Sequence, residues 1–167
     1  MSLQLCIEFA LKSFLLSKTE TARILNNIGS SWPQFIPPKI KSIKVYEIES
    51  DKLLLFANEL VAVKVRGTIV PFLGKPQEFQ YFPSVTIDLG AIKFVCNGAK
   101  VLRPGIVNFD SFENGDIVAV KEQSKGRTLA VGIALVRSEE AKAMSKGYII
   151  DNLHYVSDKI WVAYKNI

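Results

Sequence analysis

The sequence predicts an α+β protein in which an N-terminal α/β module packs on a C-terminal, barrel-like β module. Three features predict it. A capped helix and a run of alternating apolar strands fill the first half. A stretch rich in proline and aromatic residues follows at 71–83, and beyond residue 84 come many short strands punctuated by glycine. A chain of 167 residues accommodates either one large domain or two modules of about 80 residues. The central stretch divides it into residues 1–83 and 84–167.

In residues 3–9, Leu3, Leu5, Ile7 and Phe9 alternate with Gln4 and Glu8, the two-residue period of a half-buried strand, although a helix is also compatible with this segment. Ser17-Lys18-Thr19-Glu20 has the spacing of a capping box. Thr21, Ile24, Leu25 and Ile28 then mark one helical face, with Gly29 as the stop. Pro33, Pro37 and Pro38 break the chain before strands at 40–49, 53–56 and 60–66, for which Ser50-Asp51-Lys52 and Gly67 are suitable turns. Phe72, Phe79, Tyr81 and Phe82 make 71–83 too apolar for a free linker, so this stretch is expected to fix the halves against each other. In the second half, 116–122 and 129–135 form a hairpin around Gln123-Ser124-Lys125-Gly126-Arg127. Ser138 is placed as the N-cap of a short helix with Glu139 and Glu140 in its first turn and Lys142, Lys146 and Gly147 at its end. A strand at 148–150 follows.

Composition narrows the function. With 49% hydrophobic and 22% charged residues, the chain has ample material for a core. Its apolar runs fall far short of the roughly 20 residues that cross a bilayer, and no leader pattern opens it, so it reads as a cytoplasmic protein with no membrane role. Cys6, Cys96 and a single His154 make no metal-ligand cluster. Neither a metal nor a cofactor is expected. The net charge of +5 favours polyanions. No phosphate loop, dinucleotide fingerprint or nucleophile elbow occurs, so the chain is not expected to be an enzyme. His154 is read as a structural hydrogen-bonding residue, Asp116 as a turn carboxylate, and Lys125 and Arg127 as a solvated hairpin tip.

The most informative run is 88–106. Asp88 can cap a short helix in which Ala91, Phe94 and Val95 face the core, Gly98 closes it, and a strand at 99–102 ends at a Pro104-Gly105 turn. Small residues at Gly98 and Ala99 would admit a nucleic-acid backbone, with Lys93, Lys100 and Arg103 around it to neutralise phosphates.

Gly98-Ala99, then Arg103-Pro104-Gly105-Ile106, Gly115-Asp116 with alternating valines, and Ala130-Val131-Gly132 together resemble the PUA domain, a compact RNA-binding module. The closing run from Asn152 to Trp161 and the preceding α/β half further resemble the malignant-T-cell-amplified-sequence family of translation factors and its archaeal relatives. The resemblance implies a pre-PUA module packed on a PUA pseudo-β-barrel. It also implies binding of structured RNA (a tRNA acceptor end or rRNA), contact with the small ribosomal subunit, and a translation-factor partner during initiation, re-initiation or recycling. By analogy with PUA–tRNA complexes, it places the RNA groove at Lys93, Asn97, Gly98, Ala99, Lys100, Val101 and Arg103, faced by Tyr148, Ile150, Asp151 and Asn152. Two other readings stand beside it: an RNA-binding accessory subunit of a base-modifying enzyme, transglycosylase or pseudouridine synthase, and a protein–protein adaptor.

Overall fold

The computed structural model describes residues 11–35 and 39–167; the strand expected at 3–9 lies outside them. The first half forms an antiparallel sheet in sequential order from β1 (Ser13–Leu15), β2 (Lys44–Glu49), β3 (Lys52–Ala57), β4 (Leu60–Val65) and β5 (Thr68–Pro71). Helix α1 (Lys18–Ser31) begins with the expected capping box: the Ser17 hydroxyl accepts from the Glu20 N–H, and the Glu20 carboxylate accepts from the Ser17 N–H. Gly29 does not stop it. The helix runs two residues further because buried Trp32 anchors its end, donating its indole N–H to Ile69 O at 3.1 Å. The strand expected from residue 40 starts only at Lys44, and β5 is an additional strand that no pattern in the sequence marks. It follows a tight turn in which both Arg66 and Gly67 have positive φ, 47° and 83°, the backbone that matches the twist of a hairpin.

The second half contains β6 (Ser84–Ile87), α2 (Ile92–Val95), β7 (Val101–Leu102), β8 (Ile106–Phe109), β9 (Ile117–Glu122), β10 (Thr128–Ala134), α3 (Ser138–Ala143), β11 (Tyr148–Tyr155) and α4 (Lys159–Tyr164). Its sheet has the order β7-β11-β10-β9-β6-β8, with only the β6–β9 pair parallel. The two edge strands are consecutive in sequence and joined by the single 3-10 turn Arg103–Gly105, which bends the sheet into a nearly closed barrel. Burial on both faces explains the near-continuous apolar run of β9. Val118 and Val120 fill the barrel, while Ile117 and Ala119 join the core of the first sheet. At a bulge in β10 a Cβ on Gly132 would lie 2.0 Å from Asp151 O, so only glycine lets β11 approach there.

Residues 71–83 join the halves. Phe72, Phe79 and Phe82 are buried in one core with Leu54, Val63 and Val70 of the first sheet and Val131, Leu153 and Ile160 of the second half. Tyr81 alone of the four aromatics is half exposed. Pro76–Tyr81 form a 3-10 helix rather than an extended connection. His154 is fully buried at this junction. Its Nε2 accepts from the Leu73 N–H at 3.2 Å, which leaves the ring proton on Nδ1 to be donated to Asp158 Oδ2 at 2.7 Å. Burial pushes the Asp158 carboxyl up, but the hydrogen bonds from His154 and from the N–H groups of Trp161 and Tyr155 outweigh it and hold the group below its ordinary value.

Three local expectations are corrected. Ser138 is not the N-cap of α3: Arg137 occupies that position, and the buried Ser138 hydroxyl instead accepts from the Phe112 N–H at 3.0 Å. Phe94 does not face the core and is 59% exposed. β11 extends to Tyr155, five residues past its expected end, because β10 pairs with it along that stretch, from Ile133 opposite Asp151 to Ala130 opposite Tyr155. Asp116 does serve its turn, accepting from the Glu113 N–H at 2.9 Å.

The β9–β10 turn holds the buried carboxylate of Glu122, which accepts from the Ser124 hydroxyl and from the N–H groups of Ser124, Lys125 and Arg127. The serine hydroxyl and then the three amides lower its pKa to about 2. A depressed folded-state value contributes stability above the unfolded pKa of about 4.3 that is lost as pH falls through the folded one. The stability advantage of the parent over Glu122→Gln is therefore expected to be full at pH 6 and to shrink steadily toward pH 2 in urea titrations. A pH-independent difference would contradict the turn's role as a carboxylate cage.

Candidate nucleic-acid interface

The surface around 88–106 begins with Asp88, whose Oδ1 accepts from the Ala91 N–H at 2.9 Å, opening a 3-10 turn that continues into α2. The helix closes at Gly98, with φ +91°, where Gly98 N–H bonds to Val95 O and Ala99 N–H to Phe94 O. A Cβ on Gly98 would sit 3.1 Å from the Tyr155 ring. The space that the missing side chain leaves is thus taken by Tyr155 of β11, not held open for a ligand. Asn152, on the same strand, braces the loop from below: its Nδ2 donates to Val95 O at 3.0 Å and to Ala99 O at 3.1 Å.

Around this braced loop, Lys93, Asn97, Ala99 and Lys100 are exposed. Lys93 Nζ lies 5.1 Å from the centroid of the exposed Phe94 ring, and Lys100 Nζ 5.3 Å from that of Tyr148. Tyr148 stands directly opposite Leu102 across the β7–β11 ladder, and both are about half exposed. Two cations thus each lie beside an exposed ring next to this loop, a combination suited to phosphates and unstacked bases.

The other residues of the expected groove are engaged elsewhere. Val101 and Ile150 are buried in the barrel and pair with each other across the β7–β11 ladder. Asp151 Oδ2 accepts from Arg66 Nη2 of the first half at 3.1 Å. Arg103 donates through Nη1 to Ile106 O at 3.1 Å and through Nη2 toward Lys142 O at 3.5 Å, with its guanidinium 4.9 Å from the Phe109 ring centroid. It clamps the turn that closes the barrel. Sequence reasoning missed Phe94 and Leu102 as surface residues and Tyr155 as the filler behind Gly98. Burial pushes the Cys96 thiol up, away from the reactive thiolate. Among the described residues no three His, Cys, Asp or Glu side chains gather as metal ligands, and no helix is long and apolar enough to cross a membrane.

A family model of the PUA domain matches residues 83–156, which span the barrel. Translation machinery-associated protein 20 of Saccharomyces cerevisiae is 31% identical over 74% of this chain and 74% of its own length. Malignant T-cell-amplified sequence 2 of Homo sapiens is 31% identical over 78% of this chain and 76% of its own. The chain belongs to the malignant-T-cell-amplified-sequence family. The crystal structure of a hypothetical protein from Pyrococcus horikoshii matches 91% of this chain and 99% of its own, with a TM-score of 0.75 at 26% identity, so the likeness in fold extends over both halves. Within this family member, the PUA barrel carries the candidate surface.

Arg103→Ala removes two hydrogen bonds and the stacking on Phe109, and is expected to lower stability by about 2 kcal/mol. Arg103→Lys, lacking the fork, is expected to recover only part of it. Urea denaturation checks both; unchanged stability in Arg103→Ala would free this side chain for a ligand.

Proposed function

We propose that the protein is a non-catalytic, cytoplasmic RNA-binding factor of translation that contacts the small ribosomal subunit and the acceptor end of tRNA during initiation, re-initiation or recycling. The observation that carries this reading is the pairing of exposed cations with exposed rings, Lys93 with Phe94 and Lys100 with Tyr148, around a loop held rigid by Asn152 and Tyr155. Residues 84–167 act as the RNA-binding unit and residues 1–83 as the unit that holds and presents it. Family membership supports the assignment to translation, since relatives of this chain are named for association with the translation machinery. The cation-lined surface supports binding of a polyanion.

The ligand backbone is held by Lys93 and Lys100 as point charges, while the exposed residues Asn97 and Ala99 and the Tyr148 ring meet the nucleotides. Phosphate contacts position an RNA and base contacts specify it. Lys93→Ala/Lys100→Ala is therefore expected to weaken tRNA binding to a similar extent across RNA sequences. The dependence of log affinity on log salt should become shallower by about 0.7 for each single-strand phosphate that is no longer neutralised. Lys125→Ala, at the β9–β10 hairpin tip, is the control and should leave the slope unchanged. A salt titration of tRNA binding that shows the parental slope in the double variant would move the RNA surface elsewhere. Sedimentation of the native protein with a base-modifying enzyme, and not with small ribosomal subunits, would favour an accessory-subunit role.

A further inference from the structure

A second concave site lies away from the barrel surface, where the end of α1, the β3–β4 turn and the 3-10 helix Pro76–Tyr81 meet around a cavity of about 270 Å³. Its wall is aromatic and fixed. Trp32 packs edge-to-face on Phe35 at 5.5 Å and on Phe82 at 6.0 Å, and its indole N–H is tied to Ile69 O. Tyr81, half exposed, and two exposed carboxylates, Glu59 and Glu78, complete the lining.

The charge of this site runs against that of the chain. The protein has a net charge of +5. Yet among the described residues no Lys, Arg or His lines the cavity, and neither Glu59 nor Glu78 has a cation within ion-pair distance. Two unneutralised carboxylates repel phosphate, so RNA is a poor occupant. The volume falls below the roughly 300–1,000 Å³ of small-molecule sites and suits one or two protruding side chains.

We infer that this cavity is a docking site for an arginine-bearing, apolar segment of a partner protein. An apolar side chain of the segment enters against the Trp32–Phe82 wall. Its arginine stays at the mouth, where Glu59 and Glu78 supply opposite charge and Tyr81 a ring face. Arginine suits the mouth better than lysine because its planar, weakly hydrated guanidinium both forks onto carboxylates and stacks on aromatic rings. Buried aromatic anchors ringed by polar residues are the usual centres of protein interfaces. None of the residues assigned to the RNA surface takes part, so the two sites stand or fall separately.

The test is selection from a phage-displayed library of random dodecapeptides on the full-length protein, followed by affinity measurement of a selected synthetic peptide. Enriched sequences are expected to pair arginine with a large apolar residue. Binding should fall about tenfold in Glu59→Gln/Glu78→Gln, the loss appropriate to two exposed charge pairs, and stay unchanged in Lys93→Ala/Lys100→Ala. Saturating tRNA should not displace the peptide. Enrichment of acidic or uncharged peptides, no enrichment above a carrier protein, parental affinity in the glutamine variant, or displacement by tRNA would each overturn the inference. Because both glutamates are exposed, their amides leave the fold intact, and a failed RNA titration leaves this experiment readable.

Discussion

The buried N–H of Leu73, at the point where the chain leaves the first sheet, needs an acceptor, and the Nε2 of His154 supplies it. An unpaired amide there would cost about 1–3 kcal/mol, and the same imidazole fixes Asp158, which caps α4. The strand that carries His154 also carries Asp151, bonded to Arg66, Asn152, bonded to the α2 loop, and Tyr155, packed behind Gly98. One strand therefore links the two halves and braces the candidate RNA surface. Rigid support of this kind is what a binding loop needs, since a ligand then meets a surface whose ordering cost has already been met.

Features written in contiguous residues were legible in the sequence. The capping box at Ser17–Glu20, the β9–β10 hairpin, the Asp88 cap and the aromatic character of 71–83 all depend on neighbours within a few positions, and all are present. Features set by distant partners were not. Gly29 carries the usual stop signal, yet the helix passes it because Trp32 finds Ile69 far along the chain. β5 is too short to show a period, and exists because β4 offers it an edge. Ser138 has the right chemistry for a cap but is drawn to the Phe112 amide, 26 residues away.

The candidate site divides the same way. Lys93 and Lys100 are exposed as their charge requires, and their closeness to a glycine corner was visible in the sequence. The roles of Asn152 and Gly98 were not, because each is decided by a long-range partner, the Val95 and Ala99 carbonyls and the Tyr155 ring; nor was that of Arg103, whose side chain folds back on Ile106 O and the Phe109 ring. Side-chain alternation alone would have flagged Val101 and Ile150 as core residues once β7 and β11 were paired.

The proposed RNA surface lies between the α2 loop and the start of β11. Amide chemical shifts of the nitrogen-15-labelled protein, followed as unlabelled tRNA is added, test this placement most directly. The largest changes are expected on residues 97–100 and on Tyr148, with the His154 amide and the first sheet little affected. Changes confined to the first sheet, with residues 97–100 and Tyr148 unmoved, would contradict it.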